Sequence, residues 1–157
     1  LKYKAIKSGL KPKIISSGRE VNDNIPNFIF NETLKVMKSK KKETHDNKIL
    51  FLGITFKENC NDFRNSKTID LYKLFKRKNN KIDVYDPVVN ADSLHNLHRI
   101  KVLKKFKKEY YDLIIVSVPH KKIKKLSIKF LRSLGKNNPV IIDIKSLYQK
   151  NQVEWQL

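Results

Sequence analysis

Four short apolar runs constrain this chain more than anything else in it: "KILFLGI", "KIDVYD", "DLIIVSV" and "PVIIDI". Each has the length of a strand, and near-continuous apolar runs of that length are what strands covered on both faces look like. Helical stretches separate them, which is the order of parallel β-α-β units. Between the first two runs, "SKTIDLYKLFKRKNN" puts Ile69, Leu71, Tyr72, Leu74 and Phe75 on one broad helical face. Ser66 precedes that helix as N-cap, and Asn79 with Asn80 end it. Between the last two, "KKIKKLSIKFLRSLGKNNP" predicts one or two short helices closed by Gly135, and "RIKVL" offers a short edge strand. Residues 46–157 therefore read as a small doubly wound α/β domain.

Residues 1–45 read differently. In "KPKIISSGREVNDNIPNFIFNETLKVMKSKKKE" the residues Val21, Ile25, Phe28, Ile29, Leu34, Val36 and Met37 recur at roughly helical spacing. Pro26 is expected only in the first turn of such a helix, where its missing N–H costs nothing. The basic run Lys38–Lys42 and "ETHDN" then end it as an exposed linker. A helical segment thus precedes the sheet, and 157 residues suffice for one ordinary domain plus such an element. The chain starts at Leu1, without Met, in sequence that already reads as structured; it is expected to be a piece of something longer.

The formal net charge of +20 raises nucleic acid or an anionic membrane as partners. Of the 35 basic residues, however, only Arg19, Arg64, Arg77, Arg99 and Arg132 are arginine. Phosphate-reading surfaces draw on the forked donors of Arg as well as on Lys. The lysines are scattered through a chain also rich in Asn and Ile, and read as surface substitution; a nucleic-acid partner is not expected. The single cysteine, Cys60, cannot form an internal disulfide, which points to a reducing cytoplasm. No stretch approaches the length of a membrane span and no signal peptide opens the chain.

In an open α/β sheet, ligands bind beyond the carboxyl ends of the strands. The turn "GITFKENCNDFRNS" lies there, carrying Lys57 and Arg64 ahead of a helix N-terminus with its own partial positive charge. That combination suits a phosphate or pyrophosphate, as against a solvated loop of mixed charge. Nowhere does G-x-G-x-x-G occur, so side chains rather than a glycine cradle must supply the charge. Asp86 ends "VYDP" where a dinucleotide site places its ribose-binding acid, although Asp-Pro is more often a turn. Cys60 has no adjacent His and is not read as a nucleophile. His95 and His98 lack a third ligand and read as surface residues; the stretches Lys104–Lys108 and Lys121–Lys125 read as solvated helix faces.

The run "GITFKENCNDFRNSKTIDLYKLFK" followed by "DVYDP" closely resembles the UDP-binding C-terminal domain of the UDP-glucose/GDP-mannose dehydrogenase family. F-K-E-N-C-x-D-x-R-N-S is most similar to the branch acting on UDP-N-acetylhexosamines. The likeness continues through "DLIIVSVPHKKI", "VIIDIKSLY" and the final "VEWQL", while "SGREVNDNIP" resembles the helical segment leading from the central dimerisation region. The resemblance implies a Rossmann-like parallel sheet with flanking helices. It also implies a four-electron, NAD-dependent oxidation of a UDP-sugar at C6, for surface polysaccharide, by a homodimer or larger assembly. By the same resemblance Lys57 and Lys145 contact the UDP-sugar, and Arg64 reaches the bound NAD across the interdomain cleft; Asp62 and Glu58 are read as doing no more than orienting these cations. The family's thioester cysteine and N-terminal NAD domain precede the segment matched here, and Cys60 is not that cysteine. The chain alone is expected to be inactive; the alternative is a non-catalytic basic nucleotide- or nucleic-acid-binding module.

Overall fold

The computed structural model describes residues 13–157; residues 1–12 of the expected helical segment lie outside the described residues. Five parallel strands form the sheet: β1 (Lys48–Leu52), β2 (Lys81–Tyr85), β3 (Tyr111–Val116), β4 (Gly135–Asp143) and β5 (Trp155–Gln156), in the order β2-β1-β3-β4-β5. The helices are α1 (Lys13–Ser39), α2 (Lys67–Lys76), α3 (Ala91–His98), α4 (Lys121–Lys124) and α5 (Ile128–Leu134). The alternation of strand side chains explains the two cores. Ile49, Phe51, Leu113 and Ile115 face α1 and α2 through Ile29, Met37, Ile69 and Phe75. Leu50, Leu52, Ile114 and Val116 face the opposite side, against Ile123, Leu131 and Leu134 of α4 and α5. Both faces of the central strands are covered, as their near-continuous apolar runs require. β2 departs from that reading. It is a sheet edge in which only Val84 is buried, so "KIDVYD" keeps a polar side. The "RIKVL" segment adds a single parallel bridge, Val84 to Val102, rather than a strand. The two-residue β5, in "VEWQL", extends the other edge.

Pro26 corrects the expectation for the first segment: it sits inside α1, not in its first turn. A proline there costs the helix one backbone bond and about 3 kcal/mol in isolation. Tertiary packing offsets that cost. Pro26 is buried with Ile29, Thr33 and Met37 along one line of the helix, and α1 packs on α2 and the sheet. The carbonyl deprived of its donor belongs to Asn22, an exposed residue that water can reach. Val21 and Phe28, two of the periodic apolar residues, are instead largely exposed. Neither α1 nor any other helix among the described residues is long and apolar enough to cross a membrane.

Candidate functional site

The strand order reverses at β1 and β3, and the turns leaving these two strands part over a crevice at their carboxyl ends. Gly53 makes the parting possible. Its φ is +87°, and a Cβ built on it would lie 2.5 Å from Val118 Cβ and 2.6 Å from the Val118 carbonyl oxygen, so no larger residue fits where the two turns cross. Above this point lies a cleft of about 500 Å³. Asn22, Ile25, Pro26 and Ile29 of α1 form one wall, and Phe56, Lys57 and Glu58 of the β1 turn another. Ser66, Lys67 and Thr68 bring the start of α2 to it, Ser117–Pro119 its floor, and Ile144, Lys145 and Leu157 its far side.

The charge in the cleft is uneven. Glu58 is bonded to Lys124 at 2.6 Å, and Lys67 to Asp23 at 2.7 Å with Asp70 at 3.8 Å. Lys57 and Lys145 have no acidic partner among the described residues, and both side chains are exposed at the cleft. The N-terminus of α2 adds to the same field. Ser66 stands at its N-cap but spends its hydroxyl on the carbonyls of Ile54 (2.7 Å) and Thr55 (3.3 Å), leaving the first turn without a side-chain cap. Two ammonium groups and an uncapped helix end thus bear on one space, an arrangement that attracts a multivalent anion. At its floor the Ser117 hydroxyl oxygen is buried and has no hydrogen-bond partner among the described residues.

Arg64 lies apart from these residues. It does not line the cleft; its exposed side chain is clamped by Asp62, Nε donating at 3.0 Å and a terminal nitrogen at 2.9 Å, while its N–H donates to the same carboxylate at 2.9 Å. These bonds hold the Asp62 carboxyl down to about 2. Asp62 therefore does orient a cation. Glu58 does not orient Lys57, since its partner is Lys124.

Asp86 is a turn residue in a strong sense. Its Oδ1 accepts from the N–H groups of Val88 and Val89 at 2.9 Å each, and its Oδ2 from Ile54 N–H at 2.8 Å, Thr55 N–H at 3.3 Å and His120 Nε2 at 3.0 Å. Burial pushes its carboxyl up, but the bonds from His120 and from the Ile54 and Val88 N–H groups outweigh that and hold it below the usual carboxylate value. Turned inward in this way, it is not placed to meet a ribose. No glycine separates Gly53 from Gly135 either, so the β1 turn offers no backbone cradle for a dinucleotide. Cys60 is half-buried and free. His98 packs edge-on against Phe63, and no group of three metal-ligating side chains occurs among the described residues.

Fold and cleft together define a class: an open parallel α/β domain with a cationic cleft at its switch point. The UDP binding domain model of the UDP-glucose/GDP-mannose dehydrogenase family matches residues 50–150, and the chain belongs to that family. All of it aligns with UDP-N-acetyl-D-glucosamine 6-dehydrogenases of Salmonella typhi (34% identical) and Pseudomonas aeruginosa (32% identical). It spans 37% of the length of each of these relatives. Among solved structures, a NDP-N-acetyl-D-galactosaminuronic acid dehydrogenase from Methanosarcina mazei superposes with a TM-score of 0.75 at 23% identity, over 85% of this chain and 28% of that one. At that identity the likeness is one of fold.

Proposed function

We propose that this chain is the nucleotide-sugar-binding part of an NAD-dependent UDP-N-acetylhexosamine 6-dehydrogenase. The observation that carries the reading is the pair Lys57 and Lys145, two cations with no ion-pair partner among the described residues, both lining one cleft. A diphosphate is the anion that two ammonium groups and a helix N-terminus suit together, and the apolar side chains of Ile25, Pro26 and Ile29 on one wall and of Phe56 on the other suit the less polar parts of a nucleotide-sugar. The family membership and the names of the two bacterial relatives support UDP and an N-acetylhexosamine as its components.

NAD belongs to the proposed whole enzyme, where it accepts hydride from the sugar alcohol. The residues present here do not fit a complete site for it, because the glycine cradle is missing and Asp86 faces inward. Arg64 is the residue we assign to NAD held by the rest of the enzyme, presented at the surface by Asp62. Residues 1–45 are assigned to the end of a central helical segment that pairs subunits, and 46–157 to the UDP-binding domain. A cytoplasmic site and a role in surface polysaccharide follow from the same reading. The test is calorimetric titration of the chain with UDP. Lys57→Ala and Lys145→Ala are each expected to weaken binding by about 1.5 to 3 kcal/mol, the worth of a charge-assisted hydrogen bond. Binding unchanged in both variants would refute the assignment.

A further inference from the structure

We infer that His120 is a positioning residue for Lys57: it fixes the β1 turn so that the lysine stays over the cleft. This rests on the reading of Lys57 as a ligand for the diphosphate. His120 is wholly buried at the start of α4, and both ring nitrogens are engaged. Nδ1 accepts from the backbone N–H of Asn59 at 2.9 Å and is therefore bare. The ring hydrogen is then on Nε2, which lies 3.0 Å from Asp86 Oδ2 and 3.0 Å from Thr55 Oγ1. Thr55 passes its own hydrogen to the Lys57 carbonyl at 3.1 Å. Lys57 is thus bracketed, its carbonyl held by Thr55 and the residue two beyond it held by the imidazole. Lys121 N–H donates back to Asn59 Oδ1 at 3.0 Å, and Lys124 pairs with Glu58 at 2.6 Å. A solvated turn bearing one lysine has no need of this clip. A lysine that must meet a diphosphate in one geometry does, because ordering it before binding removes an entropic cost from the binding step.

The imidazole is not placed for proton transfer to a ligand, since it is closed off from the cleft and saturated. Its effect runs through Lys57, and a double-mutant cycle measures that directly. His120→Asn leaves an amide oxygen near the place of Nδ1 and can still accept from Asn59; His120→Gln leaves a donor toward Asp86 but no acceptor for Asn59. Calorimetric titration with UDP is expected to give a loss of at least fivefold for His120→Gln and of less than about twofold for His120→Asn. In a Lys57→Ala background, His120→Gln should change affinity by less than about twofold. Should neither His120 variant fold by circular dichroism, Thr55→Val is read in the same cycle, since it frees the Lys57 carbonyl and leaves the imidazole in place. Full affinity in His120→Gln, or a loss undiminished when Lys57 is absent, overturns the inference and leaves the cleft assignment standing. No loss in Lys57→Ala overturns the inference together with the role of Lys57 on which it rests, and no loss in Lys145→Ala as well overturns the cleft assignment.

Discussion

The turn between β1 and α2 consists of two halves that are built in opposite ways. Its first half, Ile54–Asn59, is tied to the ends of β2 and β3 through Asp86 and His120, and it delivers Lys57 to the cleft. Its second half, from Asn61 to Asn65, carries Arg64 outward on a clamp made within three residues by Asp62. Long-range anchoring goes with a cation that must be ready for a ligand of this domain. Local anchoring goes with a cation held at the surface, where a second body can approach it. The difference lies in how each cation is held: Lys57 depends on the fold around it, whereas Arg64 is held by a neighbour two residues away, although Asn61, accepting from the Asn90 N–H, and the buried Phe63 tie this half of the turn to the fold as well.

The largest expected effect comes from removing the hub of the first half. Asp86→Ala leaves the N–H groups of Ile54, Val88 and Val89 and the His120 ring without their acceptor, at about 1 to 3 kcal/mol for each group that water cannot reach. Chemical denaturation should show a loss above about 3 kcal/mol, and a loss below 1 would mean that the turns hold together without it. Gly53→Ala comes next. The positive φ and the contact with Val118 predict a loss of about 1 to 3 kcal/mol by the same measurement.

A pH series sharpens the contrast. The folded Asp86 carboxyl titrates below its ordinary value, near 3.9. Its contribution is therefore complete above about pH 4 and is lost as pH falls through the lowered folded value. The stability difference between the wild type and Asp86→Asn should shrink on acidification in that window, and a difference that stays constant would show that the carboxylate charge is irrelevant. The smallest effect is expected in the second half of the turn. Arg64→Ala should leave both the melting temperature and the affinity for UDP unchanged within error, because the Arg64 side chain is solvent-exposed and lies off the cleft. A marked loss of UDP affinity would bring Arg64 into the nucleotide site and end the division of labour.

Which parts were legible in the sequence follows the same line. The apolar runs disclosed four strands and their parallel order, because burial on both faces leaves a mark in three of the runs and the alternation with helices places the edge strand β2 beside them. Lys57 and Lys145 were found through family likeness together with the rule that ligands lie beyond strand ends, and the cleft brings them together. The Asp62 clamp was legible because its partners are two residues apart. His120 was not, since its role exists only once Asn59, Thr55 and Asp86 meet it from other strand ends. One signal was there: Thr55, Asp86 and His120 each follow closely on the end of a parallel strand, in "GIT", "VYD" and "VPH", where polar residues near an apolar run must find partners. Pro26 misled for a related reason. Helix propensity is local, and the packing of α1 on α2 overrides it.

The proposed function places the nucleotide diphosphate in one cleft at the switch point. A ¹H–¹⁵N correlation spectrum of the chain titrated with UDP tests it residue by residue. The account predicts that the amides of Lys57, Lys67, Thr68, Ser117 and Lys145 shift saturably together, while those of Lys108, Lys136 and Asn137, at the other end of the sheet, stay in place. Shifts spread over the basic surface and erased by moderate salt would contradict it, and would leave a polycation without a nucleotide site.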